Sequence, residues 1–371
     1  MSRIFTDIPG DKLSKIKRSL LINTLPKNAP FQIARYVYLY DEDGTTTYLP
    51  FFYPLDEIKS YTKPYSKLSD LRKTRDYAMG DFKFEATLRE EQVKVKDEAI
   101  TLLNKQRSCI ISSYTGFGKT IISIYIARLL GIKTLIAVNR LTLMSQWKKS
   151  IQDFCGDNVK VQIIRKHTDA IDTEADFYII NAINIPKKHR DEYRHIPLLV
   201  VDECHLLMSA VLSKSLTHIS PHYLIGLSAT PYREDGLNVL FDMFFGKEKI
   251  YRKLNRKHEV RVIHTGWKPE TEYMSNGKVD WNHTLNQQST NEIRNRLIAD
   301  SCKDLIDSSE DTYALIVCKR VSQIHVLETM IKELGISVTC LVGSKQDYDE
   351  DARVLIGTLS KVGTGFDHIK L

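Results

Sequence analysis

Beyond Leu88 the chain alternates short, unbroken apolar runs with stretches of helix length. The runs are Cys109 to Ser112, Thr134 to Val138, Val161 to Ile164, Phe177 to Ile180, Leu198 to Asp202 and Tyr223 to Leu227. A run that is apolar at every position, not at every second one, suits a strand buried on both faces. The pattern therefore predicts an α/β fold with a parallel sheet covered by helices on either side. The rhythm lapses from Trp267 to Gln288, which is polar, Asn-rich and punctuated by Gly and Pro, and reads as an interdomain connection. It returns at Tyr313 to Cys318, Val338 to Val342 and Arg353 to Ile356, a second α/β unit that looks cut short at three strands. Ahead of Leu88 the character differs. A basic segment from Lys12 to Lys27 precedes an alternating run, Ile33 to Tyr40, that turns at Asp-Glu-Asp-Gly and resumes from Thr45 to Phe52, a hairpin signal. Ser60 to Lys83 is rich in Lys, Arg, Asp and Tyr and reads as a solvated connection or short helices. The expected organisation is a small N-terminal α+β accessory domain over 1–85, a parallel-sheet domain over 86–266, a linker over 267–290 and a partial second parallel-sheet domain over 291–371.

Composition narrows the class. With 371 residues, 42% of them hydrophobic, the chain can bury ordinary cores and is too long for one compact domain. Lys+Arg 53 against Asp+Glu 46 leaves a net charge of +7, which suits a polyanionic partner without proving one. The six cysteines lie far apart with no Cys-x-x-Cys pair, and several fall inside apolar runs, so they read as reduced thiols of an intracellular, reducing compartment. No run approaches 18 uninterrupted apolar residues and the first residues lack the form of a signal peptide, so membrane and secreted classes are not expected.

Three motifs carry chemistry. The first, Ser113-Tyr-Thr-Gly-Phe-Gly-Lys-Thr120, follows an apolar run and opens a helical one. Gly116 and Gly118 let the backbone of Ser113, Tyr114, Thr115 and Phe117 wrap around phosphate oxygens. Lys119 supplies positive charge to the β- and γ-phosphates, and Thr120 can place its hydroxyl on Mg²⁺ at the positive end of the helix. Ser113 stands where the general pattern has Gly. The second, Leu198-Leu-Val-Val-Asp-Glu-Cys-His205, ends a strand in two carboxylates. Asp202 is suited to the Mg²⁺ shell, and Glu203 to polarising an attacking water. A zinc reading of Cys204 and His205 lacks further ligands at usable spacing. The third, Ile225-Gly-Leu-Ser-Ala-Thr-Pro231, brings small hydroxylated residues to a strand end, where Ser228 and Thr230 can bond across to the Asp-Glu-Cys-His turn.

In this order and spacing the motifs resemble those of the superfamily 2 DNA and RNA helicases of the DExH type, built on two RecA-like domains, and the resemblance spans about Leu88 to Asp367. It implies ATP as substrate and Mg²⁺ as cofactor. It makes Gln92, in Leu88-Arg-Glu-Glu-Gln92, the adenine contact, and Lys119, Asp202 and Glu203 the catalytic residues. His205, Ser228 and Thr230 become coupling residues, and Arg140, in Val138-Asn-Arg-Leu-Thr-Leu-Met-Ser-Gln-Trp147, a nucleic-acid contact. Tyr313 to Arg320 resembles the opening strand of the second domain. In Val354 to Asp367, Thr358 would contact phosphate, and Gly365 and Asp367 would face the nucleotide. The phrases Thr-Gly-Phe-Gly-Lys-Thr, Leu-Met-Ser-Gln-Trp-Lys-Lys and Gly-Thr-Gly-Phe-Asp are closest in wording to poxvirus-type transcript-release helicases of large DNA viruses. XPB-like and phage repair helicases are next, with Tyr232-Arg-Glu-Asp-Gly236 resembling the XPB-like Arg-Glu-Asp element. A viral source would place the protein in the host cytoplasm or the virion. The family's last motif, with its paired arginines, is not in the sequence, which marks the chain as a candidate fragment.

The resemblance implies a motor in which ATP bridges two hinged domains and nucleic acid lies across both. Lys148, Lys149 and the 358–361 segment are further candidates for phosphate contact, whereas a solvated helix face is the plainer reading of any single Lys or Arg, including Lys12, Lys15, Lys17 and Arg18. DNA is favoured over RNA as partner, with duplex DNA or a polymerase or transcription complex as candidates for the N-terminal domain. Two alternatives stand beside the motor. A P-loop kinase should carry a lid and an acceptor site in place of the Ser-Ala-Thr-Pro element, and a non-catalytic nucleic-acid-binding or regulatory fragment would fit the missing arginine motif.

Overall fold

The computed structural model describes residues 2–23, 36–54, 56, 58–62, 66–207, 213–230, 232, 238–254, 259–343 and 347–363. It divides into two compact units, Met1–Arg256 and Lys257–Leu371.

The first unit begins with β1 (Ser2–Thr6), α1 (Gly10–Ser19), β2 (Leu21–Asn23), β3 (Tyr36–Tyr38), β4 (Asp41–Asp43) and β5 (Thr46–Pro50). The expected hairpin is present but shifted. The Asp-Glu-Asp run is itself the strand β4, pairing Asp41 with Tyr48 and Asp43 with Thr46, and the chain reverses over Gly44 and Thr45. Gly44, at φ +57, supplies the left-handed backbone that tight hairpin loops require. The run ending at Tyr40 pairs instead with β2, Leu21 opposite Tyr38.

After α2 (Leu68–Lys73) and α3 (Glu90–Gln106) the chain lays down β6 (Ser108–Ser113), α4 (Lys119–Leu130), β7 (Thr134–Val138), α5 (Leu141–Cys155), β8 (Val161–Ile164), β9 (Phe177–Asn181), β10 (Leu198–Val201), α6 (Cys204–Leu207), α7 (Ser213–His218), β11 (Tyr223–Ser228), α8 (Val239–Phe245) and β12 (Ile250–Arg252). The seven strands form one parallel sheet in the order β12-β6-β11-β10-β7-β9-β8. Alternate residues along each strand enter opposite cores. Ile110, Leu135, Tyr178, Leu199 and Leu224 pack on one face with α7, α8 and the N-terminal Phe5, Leu20, Leu49 and Phe51. Ile111, Ile136, Ile179, Val200 and Ile225 pack on the other, against α3, α4 and α5. Each fully buried side chain of this kind contributes about 1.5–3 kcal/mol, so continuous apolarity is what a sheet covered on both faces selects. Gly226 shows how close the cover comes, since a Cβ there would sit 2.7 Å from the ring of Phe245.

The N-terminal strands share this core and are clasped to it by charge. Arg190 donates to Asp41 and to the carbonyls of Thr217 and His218 at 3.0 and 2.8 Å, and its guanidinium stacks 3.8 Å from the ring centre of Tyr48. On the basic helix, Lys17 pairs with Glu42 at 2.7 Å and Lys12 lies over Tyr61, so part of its charge serves packing within the unit.

At the start of β11, burial holds the His222 ring down to about 4, with Arg107 adding to the effect. The unfolded chain takes up this proton near the ordinary histidine value of about 6.5 and the folded chain only near 4. The associated stability is complete above about pH 6.5 and declines as pH falls towards 4, by at most about 3 kcal/mol. Urea unfolding at pH 7 and pH 5 is expected to show wild type losing more stability on acidification than His222→Phe. Equal losses would contradict it.

The second unit holds α9 (Trp281–Thr290), α10 (Glu292–Asp307), β13 (Ala314–Cys318), α11 (Val321–Glu333), β14 (Val338–Leu341), β15 (Val354–Thr358) and α12 (Leu359–Val362). Its three strands are parallel in the order β13-β15-β14. Ala299, Cys302, Ile324, Leu327, Ile331, Val354 and Ile356 make its core. The second half of the polar stretch expected as a connection is helical. Asp280 caps α9 by accepting from the backbone N–H of Asn282 and His283, and a cap of this kind lets a helix start in a polar sequence. All six cysteines are buried, and none is in a disulfide. Among the described residues no helix is long and apolar enough to cross a membrane.

Candidate active site

The order β6-β11-β10-β7 sets four strand ends side by side, because Ser112 pairs with Ser228, and Val201 with both Gly226 and Ala137. The loops that follow form one rim at the carboxyl edge of the sheet, where open α/β folds bind ligands.

Between β6 and α4 the chain passes through Gly116 at φ +79 and Gly118 at φ +96, conformations costly for any residue with a Cβ. Gly118 is the N-cap of α4 and has no side chain to satisfy the first N–H groups, which leaves the helix start as an anion-binding terminus. Lys119 folds back to donate to the carbonyls of Ser113 at 2.9 Å and Tyr114 at 3.4 Å. Burial lowers its pKa, while Glu203 and Asp202 act to keep it charged. Tyr114 meets Phe117 edge to face at 5.3 Å, Thr115 is exposed, and the hydroxyl of Ser113 is buried without a partner among the described residues.

Gln92, the expected adenine contact, is only 4% exposed. Its amide donates to the Phe117 carbonyl at 2.8 Å and accepts from the Arg89 N–H at 2.8 Å, so here it caps α3 and braces the loop. The Arg89 guanidinium grips the same Phe117 carbonyl at 2.6 Å. A Cβ on Gly118 would lie 2.4 Å from the Gln92 amide nitrogen, which explains the glycine there by contact as well as by φ.

Asp202 follows β10, its N–H donating to the Ala137 carbonyl at 2.9 Å. Its Oδ2 accepts from the Trp147 indole N–H at 2.8 Å and its Oδ1 from the Glu203 N–H at 3.0 Å. Glu203 sits at φ +45, a left-handed conformation that costs a non-glycine residue about 1 kcal/mol or more and occurs mostly where function requires it. Its Oε2 is buried with no hydrogen-bond partner among the described residues, 3.4 Å from the Nδ1 of His205. Burial pushes the Asp202 carboxyl up. Burial and the neighbouring Asp202 push Glu203 to about 6.

The third motif reaches this pair at two points. The Ser228 hydroxyl lies 2.9 Å from the Nδ1 of His205 and accepts from the Thr230 N–H at 3.0 Å, while the Ala229 N–H bonds the Glu203 carboxylate. Cys204 is buried in the core beneath the sheet. Arg140 stands at the N-cap position of α5, and its charge acts to lower the Glu203 pKa. Lys148 is partly buried and Lys149 is paired with Asp153 at 2.7 Å. In the second unit Thr358 ends β15, with its hydroxyl 3.0 Å from that of Ser360. Gly365, Asp367 and the Arg-Glu-Asp-Gly element lie outside the described residues, while Tyr232 is exposed. The motif reading gave no role to Arg89, Ala229 or the Trp147 indole. The signal available for Trp147 was a donor-only N–H on a large apolar residue, which needs an acceptor when buried.

The donor set suits a hard, small cation. Asp202 and Glu203 present buried carboxylate oxygens, Oε2 of Glu203 without a hydrogen-bond partner among the described residues, and Thr120 stands in the first turn of α4. Among the described residues no three His, Cys, Asp or Glu side chains converge, so no all-protein cage is present. Mg²⁺ is commonly held this way, by one or two carboxylates with phosphate and water completing the shell.

A phosphate loop, paired carboxylates and a hydroxyl-bearing turn on one edge of a parallel sheet are the parts of a RecA-like ATPase core. Residues 85–233 match the family described as "Type III restriction enzyme, res subunit". The chain is 44% identical over 313 residues to "Putative helicase 161L" of Invertebrate iridescent virus 6, covering 78% of this chain and 70% of that protein. It is 28% identical over 209 residues to "DNA 3'-5' translocase XPB2" of Sulfurisphaera tokodaii, covering 53% of this chain and 46% of the relative. It is 24% identical over 283 residues to "Transcript termination protein A18" of Yaba-like disease virus, covering 68% and 57%. The chain belongs to the superfamily 2 helicases of the DExH type, as a relative of the iridescent-virus helicase. It is by family an ATP-hydrolysing nucleic-acid helicase or translocase. Both groups suggested by the motif wording, XPB-like and poxvirus transcript-release, are among its relatives.

Proposed function

We propose that the chain is an ATP-driven motor acting on DNA, with ATP bound as its Mg²⁺ complex on the rim of the seven-stranded sheet. The observation that carries this is one oxygen of the Glu203 carboxylate, buried, without a hydrogen-bond partner among the described residues, with the charge of Lys119 acting on the same group. A buried carboxylate oxygen left without a donor is costly, and a bound ligand that engages it explains its retention. Lys119 and the loop N–H groups hold phosphate, and Thr120 and Asp202 hold Mg²⁺. When bound, Mg²⁺ neutralises phosphate charge. Glu203 orients and deprotonates the attacking water. His205, Ser228 and Thr230 link the carboxylates to the end of β11. Arg140 and Thr358 as nucleic-acid-binding residues, and Gly365 and Asp367 as ATP-binding residues, complete the assignment, within domains bounded at 85, 266 and 290. The net charge of +7 supports a polyanionic partner, and the name of the XPB2 relative supports DNA over RNA. The A18 relative's name supports a transcription complex as partner, and the six buried thiols support a reducing compartment.

ATP turnover measured alone and with single-stranded DNA, duplex DNA or RNA tests this reading. Stimulation by DNA exceeding that by RNA is expected, with a salt sensitivity that reflects phosphate contacts. Turnover indifferent to every nucleic acid would remove the motor.

A further inference from the structure

We infer that Trp147 is a positioning residue, joining the nucleic-acid end of α5 to the carboxylate of Asp202; this rests on the reading of the nucleotide site above. An indole N–H can only donate, and that of Trp147, 3% exposed, is spent on Asp202 Oδ2 at 2.8 Å. The Glu203 N–H holds the other oxygen at 3.0 Å, so both carboxylate oxygens are fixed, each keeping a lone pair for a cation. The Asp202 backbone is tied to the same structural segment, since its N–H donates to Ala137 of β7, the strand that runs through Asn139 into Arg140 and α5.

Arg140 is the extended N-cap residue of α5, and Trp147 lies two helical turns or about 10 Å further along the same helix. Trp147 is packed among Leu143, Met144 and Ile151, which keeps the ring from turning independently of the helix. A displacement of α5 on engaging a phosphate backbone at Arg140 is therefore delivered to Asp202 through a buried, directional hydrogen bond. Partners one step removed from a metal typically alter its affinity or the activity by about 10- to 100-fold.

Trp147→Phe in the full chain keeps the aromatic packing and deletes the donor. Thermal unfolding like wild type is expected, together with a Mg²⁺ requirement for ADP binding raised about 10-fold or more and ADP binding in EDTA unchanged. Nucleic-acid-stimulated kcat should fall by a similar factor while KM for ATP holds. A folded Trp147→Phe with wild-type Mg²⁺ requirement and wild-type stimulation overturns the inference alone. A wild-type chain that neither binds nor turns over ATP overturns the site reading and the inference with it. The variant's folding is not decisive, because the chain has three tryptophans and Trp267→Phe with Trp281→Phe leaves Trp147 as sole reporter. An emission change on adding Mg²⁺ with ADP, absent with ADP in EDTA and absent in Asp202→Asn, supports it, and constant emission overturns it.

Discussion

Lys119→Ala is expected to lower ATP turnover by about 10²- to 10³-fold or more and to weaken nucleotide binding, the range seen when one preorganised donor to developing charge is removed. The Lys119 ammonium is already placed at the loop carbonyls of Ser113 and Tyr114, so it meets phosphate with little reorganisation. Burial works against its charge, and the paired carboxylates of Asp202 and Glu203 work for it. Alanine removes the cation and leaves two buried carboxylates without it, so binding as well as chemistry suffers. Steady-state turnover together with titration of a fluorescent ADP analogue checks both parts. Turnover within a few fold of wild type would exclude the phosphate loop from catalysis.

What was legible in the sequence follows from what each signal depends on. Strands buried on both faces must be apolar at every position, so β6, β7, β9, β10 and β11 could be read to within a residue or so. Phosphate loops need glycine where φ is positive, and the positive φ of Gly116 and Gly118 is local enough to be written in a short motif. The hairpin was displaced because three acidic residues have poor strand propensity. Asp41 is held in β4 through a contact with Arg190, distant in sequence, that no local pattern records. Helix α9 was missed for a related reason, since its residues lack an apolar stripe and its start depends on the Asp280 cap. The role of Gln92 depends on a loop carbonyl 25 residues away, and that of the Trp147 N–H on a carboxylate 55 residues away. Motif order identified the chemistry. It could not show which side chains hold the chemical groups in place.

The arrangement around Glu203 separates binding from hydrolysis, and Glu203→Gln should show it. Glutamine keeps the size of the side chain and an oxygen that can accept the Ala229 N–H, but it cannot take a proton from water. Loss of a general base typically costs about 10²- to 10⁴-fold, so single-turnover hydrolysis should fall into that range. Nucleotide affinity should hold or rise, because burial already disfavours the charge of Glu203, and Asp202 beside it disfavours that charge further. Removing a negative group near bound phosphates relieves both. This is the opposite of Lys119→Ala, where binding falls with rate. His205 Nδ1, shared between the Glu203 carboxylate at 3.4 Å and the Ser228 hydroxyl at 2.9 Å, then becomes a reporter of the defect. In Glu203→Gln it loses its charged neighbour, and its imidazole NMR resonances should shift relative to wild type. Hydrolysis in Glu203→Gln within a few fold of wild type would assign the base to another group and leave the strained backbone at φ +45 without its functional reason.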